Sequence, residues 1–351
     1  MPFMIRIDGS MGEGGGQLLR YSVALSALTG EPVQVYNIRA KRSNPGLRPQ
    51  HMTAVRLLAR MVDAEVRGLS VGSMTLTFIP KSRVRGGSYE LDVGTAGSVS
   101  LVLQATLPVA AMARESVRLR LVGGTAVKWS PPVQYVQYVL RPLLSRFGVQ
   151  FTLSVLRHGF YPRGGGVVEV WVEPTEALTG ASFPELSRVE RVDGLSYCAN
   201  LPSHVAVRQR AAAEEALRAR GLRVGEIAVD TRTPALDRGS CIVLWATTDS
   251  GVLGSDALGE RGKPAEAVGR EAASKLIAEV NARAGVDRHA LDNLLIYASL
   301  AEGRSLLASS ELTSHAATVI ELCKMIVGAR FRWERTERGV RVLCEGVGFT
   351  P

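Results

Sequence analysis

The sequence predicts an α/β fold: three repeated βα units, each a small four-stranded sheet with two helices, plus a smaller inserted α+β domain. Three observations carry that expectation. Two long stretches run through one order of elements, a Gly-rich turn, an apolar helix, a strand and a second helix, which marks an internal repeat. A third, broken copy follows at the C-terminal end. The block between the second and third copies has a strand and helix pattern of its own. The expected division is therefore 1–183 with 285–351 for a large domain of three units, and 184–284 for the insert.

In the first copy, Gly12-Glu13-Gly14-Gly15-Gly16 opens a helical run through Leu18, Leu19, Tyr21 and Val23 to Leu25. Pro32 to Tyr36 then reads as a strand, and His51 to Met61 as a second helix. In the second copy, Gly94-Thr95-Ala96-Gly97-Ser98 leads into Leu101-Val102-Leu103, a strand over Ser116 to Leu121 and a helix near Val133 to Phe147. Each copy closes on a Gly-opened strand expected in a hairpin, Tyr89 to Val93 and then Val167 to Val172. The third copy has helices over Leu291 to Leu300 and Ser314 to Val327, and strands Arg330 to Trp333 and Val340 to Leu343 about the turn Glu337-Arg338-Gly339. The insert carries helices near Val205 to Arg220 and Pro264 to Arg283.

With 351 residues, 46% of them hydrophobic, the chain can bury a large core unaided. Its 42 Lys and Arg against 33 Asp and Glu give a net charge of +9, a field that favours a polyanion without identifying one. Cys198, Cys241, Cys323 and Cys344 are far apart and form no CxxC pair, so a zinc ribbon or thioredoxin-type site is not expected; they read as reduced core thiols. No basic-then-apolar leader precedes Ile5, and no apolar run approaches the ~20 residues of a membrane span. A soluble, cytoplasmic protein with no membrane partner is the expectation, and the oligomeric state is open.

The N-terminal Gly-rich turn fits neither familiar phosphate motif. It lacks the sixth-position Gly of the dinucleotide fingerprint, and no Gly-Lys-Ser/Thr follows for a P-loop. Glycines opening a helix still aim backbone N–H groups at an anion. The loop Arg39 to His51 gathers Arg39, Lys41, Arg42 and Arg48 just before a helix, a composition that suits a phosphate clamp or a solvated loop equally. Of the five histidines, His315 stands out by position. It follows the N-cap residues Thr313-Ser314 and opens a helix, where the imidazolium is disfavoured and an incoming phosphate favoured.

Taken in order, these stretches resemble the RNA 3′-terminal phosphate cyclase family from the first strand to the last. The resemblance rests on Asp8-Gly9 with Gly12 to Gln17 and Arg20, Ile38-Arg39-Ala40, Pro45-Gly46-Leu47, and Gln50-His51 with Thr53-Ala54-Val55. It continues through Gly97-Ser98 with Leu101 to Gln104, Gly123-Gly124-Thr125, Pro131-Pro132, and Arg157 to Pro162 with Gly164-Gly165-Gly166. Ala126 stands after the Gly-Gly-Thr motif where relatives commonly carry an acid, and His289 stands where they often carry an aromatic. The insert resembles the family's small domain, which is akin to the C-terminal domain of bacterial translation initiation factor three.

The resemblance implies ATP-dependent conversion of an RNA 3′-terminal phosphate to a 2′,3′-cyclic phosphate, through a covalent histidine-AMP and an RNA(3′)pp(5′)A intermediate. It implies that His315 is the nucleophile and that Glu13 is a ligand of a divalent metal, Mg2+ or Mn2+. Arg20, Arg39 and Arg42 become phosphate contacts, and Gln50, His51 and Gln104 lie near the nucleotide or RNA end. Pro132, His289 and Asp292 join the nucleotide-binding set, with Asp292 expected to orient the histidine or touch the nucleotide. The rival expectation is a non-catalytic cyclase-like RNA-binding protein of ribosomal RNA maturation. Enolpyruvyl transferases share the repeat architecture, and 5′-phosphate ends are further possible acceptors.

Overall fold

The computed structural model describes residues 4–350. The first unit comprises β1 (Ile5–Asp8), α1 (Gly16–Thr29), β2 (Val33–Tyr36), α2 (Pro49–Met61), β3 (Glu65–Arg67) and β4 (Leu76–Ile79). Its sheet runs β1-β2-β4-β3, with β1 and β2 parallel and β4 antiparallel to both neighbours. The second unit comprises β5 (Gly87–Asp92), α3 (Val99–Ala111), β6 (Val117–Gly123), a composite helix, β7 (Phe151–Arg157) and β8 (Gly166–Val172). That helix runs from α4 (Val133–Tyr135) through a π-helical segment (Val136–Leu140) into α5 (Arg141–Ser145). The sheet order, β5-β6-β8-β7, repeats the first.

The third unit is interrupted. Its first strand, β9 (Ser182–Phe183), precedes the insert of β10 (Val189–Ala199), α6 (His204–Arg218), β11 (Val224–Asp230), β12 (Gly239–Thr248), β13 (Val252–Leu258) and α7 (Ala265–Asn281). The unit resumes with α8 (Arg288–Leu300), β14 (Arg304–Ser309), α9 (Ser314–Ile326), β15 (Arg330–Thr336) and β16 (Gly339–Glu345). Its sheet, β9-β14-β16-β15, again follows the common order. The insert's order, β11-β10-β12-β13, does not, so it is no fourth copy.

Local chemistry accounts for these elements. β6 alternates Val117, Leu119 and Leu121 inward against Arg118 and Arg120, the period of a strand with one buried face. α1 is apolar or small nearly all round and buried from Gln17 to Leu28, as a helix enclosed by others must be. It packs against α2, α3 and α9, so its N-terminus lies where all three units meet. The insert has a separate core of Val192, Ile227, Leu244, Leu253, Val268 and Leu276.

The hairpin expected at Tyr89 to Val93 is not what forms. These residues fall in and just after β5, which pairs in parallel with β6 and opens the second unit, whereas the first unit closes on the shorter β3 and β4. A Gly-opened alternating segment suits either kind of pairing, and only the neighbouring strand decides.

Insert and body are joined by polar and aromatic contacts. The buried Asp287 carboxylate accepts from Tyr135 Oη at 2.6 Å, from Gly254 N in β13 at 2.8 Å, and from His289 N and Ala290 N at the start of α8. The rings of Tyr138 and Trp245 stack at 4.3 Å, and those of His158 and Tyr197 at 4.5 Å. The four cysteines are free and buried. Among the described residues no helix is long and apolar enough to cross a membrane.

Candidate active site

Two helix N-termini and the Arg-rich loop converge on His315. α9 begins at Ser314, its cap Thr313 accepting from Ala316 N at 2.9 Å, so His315 occupies the first turn with its ring beside the Gly-rich turn before α1. A Cβ added to Gly15 would lie 3.7 Å from His315 Cε1 and 3.3 Å from Arg42 Nη2. Glu13 ties the pieces together. One carboxylate oxygen accepts from Ser314 Oγ, and the other lies 3.1 Å from Arg42 Nη2 and 3.5 Å from His315 Nε2. The Ser314 hydrogen bond, followed by the charges of His315 and Arg42, holds the Glu13 carboxyl below its usual range. Lys41 Nζ donates to Gly12 O at 3.0 Å, pinning the loop to the turn.

Burial lowers the pKa of His315, opposed by Glu13 and assisted by Arg20, Arg42 and His289. Its side chain remains 41% exposed, so a neutral, accessible ring nitrogen is present near neutral pH. Asp292 does not hydrogen-bond the His315 ring. Its Oδ1 accepts from Thr313 Oγ1 at 2.5 Å, which fixes the residue that caps the histidine's helix. Burial pushes the Asp292 carboxyl up to about 7 against the opposing effect of that hydrogen bond.

Behind the turn lies a line of buried polar groups. Arg20 is only 5% exposed; Nη2 donates to Gln104 Oε1 at 2.9 Å while Nε has no hydrogen-bond partner. Burial lowers this guanidinium to about 10. Gln104 Nε2 in turn donates to Asn293 Oδ1 at 3.1 Å, and Asn293 Nδ2 to His289 O at 2.7 Å. His51 is 2% exposed and accepts from Arg48 N through Nδ1, with Nε2 only 2.0 Å from where a Gly16 Cβ would sit. Burial, then the Arg20, Arg39 and Arg48 charges, hold its pKa well below the ordinary value. Arg39 spends Nη1 on Asn44 O and Gly46 O, shaping its own loop. Gln50 Oε1 accepts from Ser98 N, the cap residue of α3. Pro132 caps α4 beside a narrow cleft lined by Ser100, Leu101, Gln104, Pro131, Val136 and Asn293.

A family model described as RNA 3′-terminal phosphate cyclase matches residues 11–333. The chain belongs to the RNA 3′-terminal phosphate cyclase family. A relative from Ignicoccus hospitalis bearing that name is 52% identical over 325 residues, covering 92% of each chain. Those from Hyperthermus butylicus (51% over 331 residues, 92% of each) and Pyrobaculum aerophilum (46% over 346 residues, 98% of this chain and 99% of the relative) carry it too. A solved enolpyruvyl transferase from Streptomyces tendae aligns with a TM-score of 0.41 and 12% identity, over 100% of this chain and 50% of that one.

Within this family frame, the residues singled out from sequence divide by position. Arg42 and His315 each contact Glu13; Arg20, Gln104 and Asp292 lie behind them on α1, α3 and α8, and His289, exposed near the start of α8, joins that line through its backbone carbonyl. Gln50, His51 and Pro132 are engaged in helix ends, and Arg39 in its loop. Sequence reading gave no site role to Ser314, which holds Glu13 from 301 residues away, or to Asn293, which continues the Arg20 to Gln104 line. The only signal for Ser314 was its place beside a cap.

Proposed function

We propose that this chain converts an RNA 3′-terminal phosphate into a 2′,3′-cyclic phosphate at the expense of ATP, with His315 as nucleophile. The observation that supports it most is a neutral histidine at the start of α9, half exposed, beside the uncapped N-terminus of α1 and within reach of Arg42 and Glu13. A histidine nitrogen there attacks the α-phosphorus of ATP; an N–P bond forms and the bond to pyrophosphate breaks. An oxygen of the RNA 3′-phosphate then displaces the histidine, giving RNA(3′)pp(5′)A. The adjacent 2′-oxygen attacks the 3′-phosphorus, loses its proton and expels AMP, helped by its proximity.

The donors present fit a polyphosphate: the free backbone N–H groups of the α1 terminus, Arg42, and the buried Arg20 with its unpartnered Nε. A divalent ion would rest on Glu13, the acid in contact with Arg42 and His315, and take its other oxygens from phosphate and water, supplying charge neutralisation. No cluster of three metal-ligating side chains occurs among the described residues, which suits an ion that arrives with the nucleotide. On this reading residues 1–183 and 285–351 are the catalytic body, 184–284 the inserted domain, and the protein works in the cytoplasm.

The test is covalent labelling with α-labelled ATP and Mg2+ or Mn2+. An acid-labile adenylate that is lost in His315→Ala and chases onto 3′-phosphate RNA as a cyclic end is the expected result. A protein that binds RNA but never labels would be the non-catalytic relative, and a label surviving in the variant would move the nucleophile elsewhere.

A further inference from the structure

Trp129 is 96% exposed, far more than a large aromatic side chain attains by chance packing. Its backbone also has φ of +62°, in the left-handed region where glycine or asparagine sits more easily than a bulky residue. Neither feature favours the folded state by itself. The turn is nonetheless held firmly: Ser130 Oγ donates to Val127 O at 3.2 Å, Lys128 Nζ pairs with Glu260 at 2.7 Å, and Pro131 O accepts from Ser100 Oγ at 2.6 Å. A strained, anchored turn that presents an indole to water points to a contact outside the chain.

A second exposed aromatic stands on the adjoining loop. Tyr161 is 79% exposed, in a turn closed by Gly164 N donating to Phe160 O at 2.8 Å. The two loops are joined at their bases, since Thr125 N and Ala126 N both donate to Gly159 O and Gly159 N donates to Thr125 Oγ1 at 2.9 Å. The Trp129 loop connects to the site through the first turn of α3. Ser100 holds the Trp129 loop, Ser98 Oγ lies 2.8 Å from Ser100 Oγ, and Ser98 N is taken by Gln50 from the Arg-rich loop.

We infer that Trp129, with Tyr161, is a stacking platform for the unpaired bases just upstream of the RNA's terminal phosphate. The inference rests on the proposed RNA substrate and adds where the rest of that strand lies. Stacking on an indole face accepts any base, which suits a protein that acts on ends rather than sequences. Lys128 and Arg163 flank the rings but are already paired with Glu260 and Asp237, so the rings rather than the cations carry this contact.

Binding of a 5′-fluorescein-labelled, 3′-phosphorylated octanucleotide RNA, followed by anisotropy with full-length protein, tests it. Trp129→Ala should weaken the octanucleotide about ten-fold, equally at low and high salt, and Trp129→Phe should restore most of the affinity. A 3′-phosphorylated dinucleotide competitor should be much less affected. Trp333→Ala, an exposed tryptophan on β15 of the third unit's sheet, is the control. Octanucleotide affinity of Trp129→Ala within about two-fold of the parent, or a loss confined to low salt, would overturn the platform. So would a change of oligomeric state with RNA affinity intact, which would make the ring a contact for a second copy. If the parent protein cyclises RNA but Trp129 does not matter, only the platform falls. If Trp129 matters and no cyclic end forms, only the proposed reaction falls.

Discussion

At the N-terminus of α1 the cap residue is Gly15, which offers no side-chain acceptor, whereas at the equivalent end of α3 Ser98 accepts from Leu101 N at 3.3 Å and gives its own N–H to Gln50. α8, the equivalent helix of the third unit, is capped by Asp287, whose carboxylate accepts from His289 N and Ala290 N at 3.0 Å. Three copies of one fold thus differ in how they treat the same helix end. Two are completed by their own side chains, and the first is left open, with His51 packed beneath Gly16 and His315 and Arg42 beside Gly15. A helix with glycine at its cap is weaker by roughly a few tenths of a kcal/mol than one capped by serine, so the open end is a small cost unless an anion completes it.

The largest expected effect concerns Asp292, which supports the cap of the facing helix α9, the histidine's own. With its folded pKa at about 7, the carboxyl stays protonated in the folded protein while the unfolded chain ionises near 3.8. Below the unfolded value both states hold the proton and nothing is lost; as pH rises toward 7 the folded state loses stability, by about 4 kcal/mol at full effect. Asp292→Asn keeps an acceptor for Thr313 and removes that loss. Its unfolding free energy should match the parent at pH 4 and exceed it at pH 8, and parallel curves in denaturant titrations would refute the buried neutral acid.

Next in size is Gly16→Ala. The new methyl would meet His51 Nε2, on a ring already held by Arg48 N at 3.1 Å. A loss of about 2 kcal/mol on chemical denaturation is expected, with a parallel fall in adenylate formation. Unchanged stability would mean that the ring moves freely and does not define the open end.

Smallest in stability is Gly15→Ser. The φ of −86° and ψ of 174° suit a serine cap, so stability should rise by a few tenths of a kcal/mol. The same side chain enters the space before His315 and Arg42, and labelling should slow about ten-fold. A stabilised variant that labels at the parent rate would show that the open end serves no ligand.

Much of this was legible in the sequence. Regular apolar spacing placed α2, α6, α7, α8 and α9 to within about three residues, because amphipathic periodicity survives without knowledge of neighbours. β3 spans only three residues and left no period to read. The partner of β5 was likewise hidden, since parallel pairing depends on a strand thirty residues on. At the site, His315 was visible through its caps and Glu13 through the motif it shares with relatives. The Ser314 to Glu13 bond and the Asn293 to Gln104 bond span 301 and 189 positions, distances over which no local pattern reports.

Arg20 carries one more consequence. A cation stripped of water when a ligand arrives subtracts that dehydration from the ligand's affinity; here the stripping is done when the chain folds, and the lowered basicity of the guanidinium records it. A phosphate group reaching the unpartnered Nε would therefore meet a charge that needs no further preparation, and the strength of its attraction has been stored in advance by the fold.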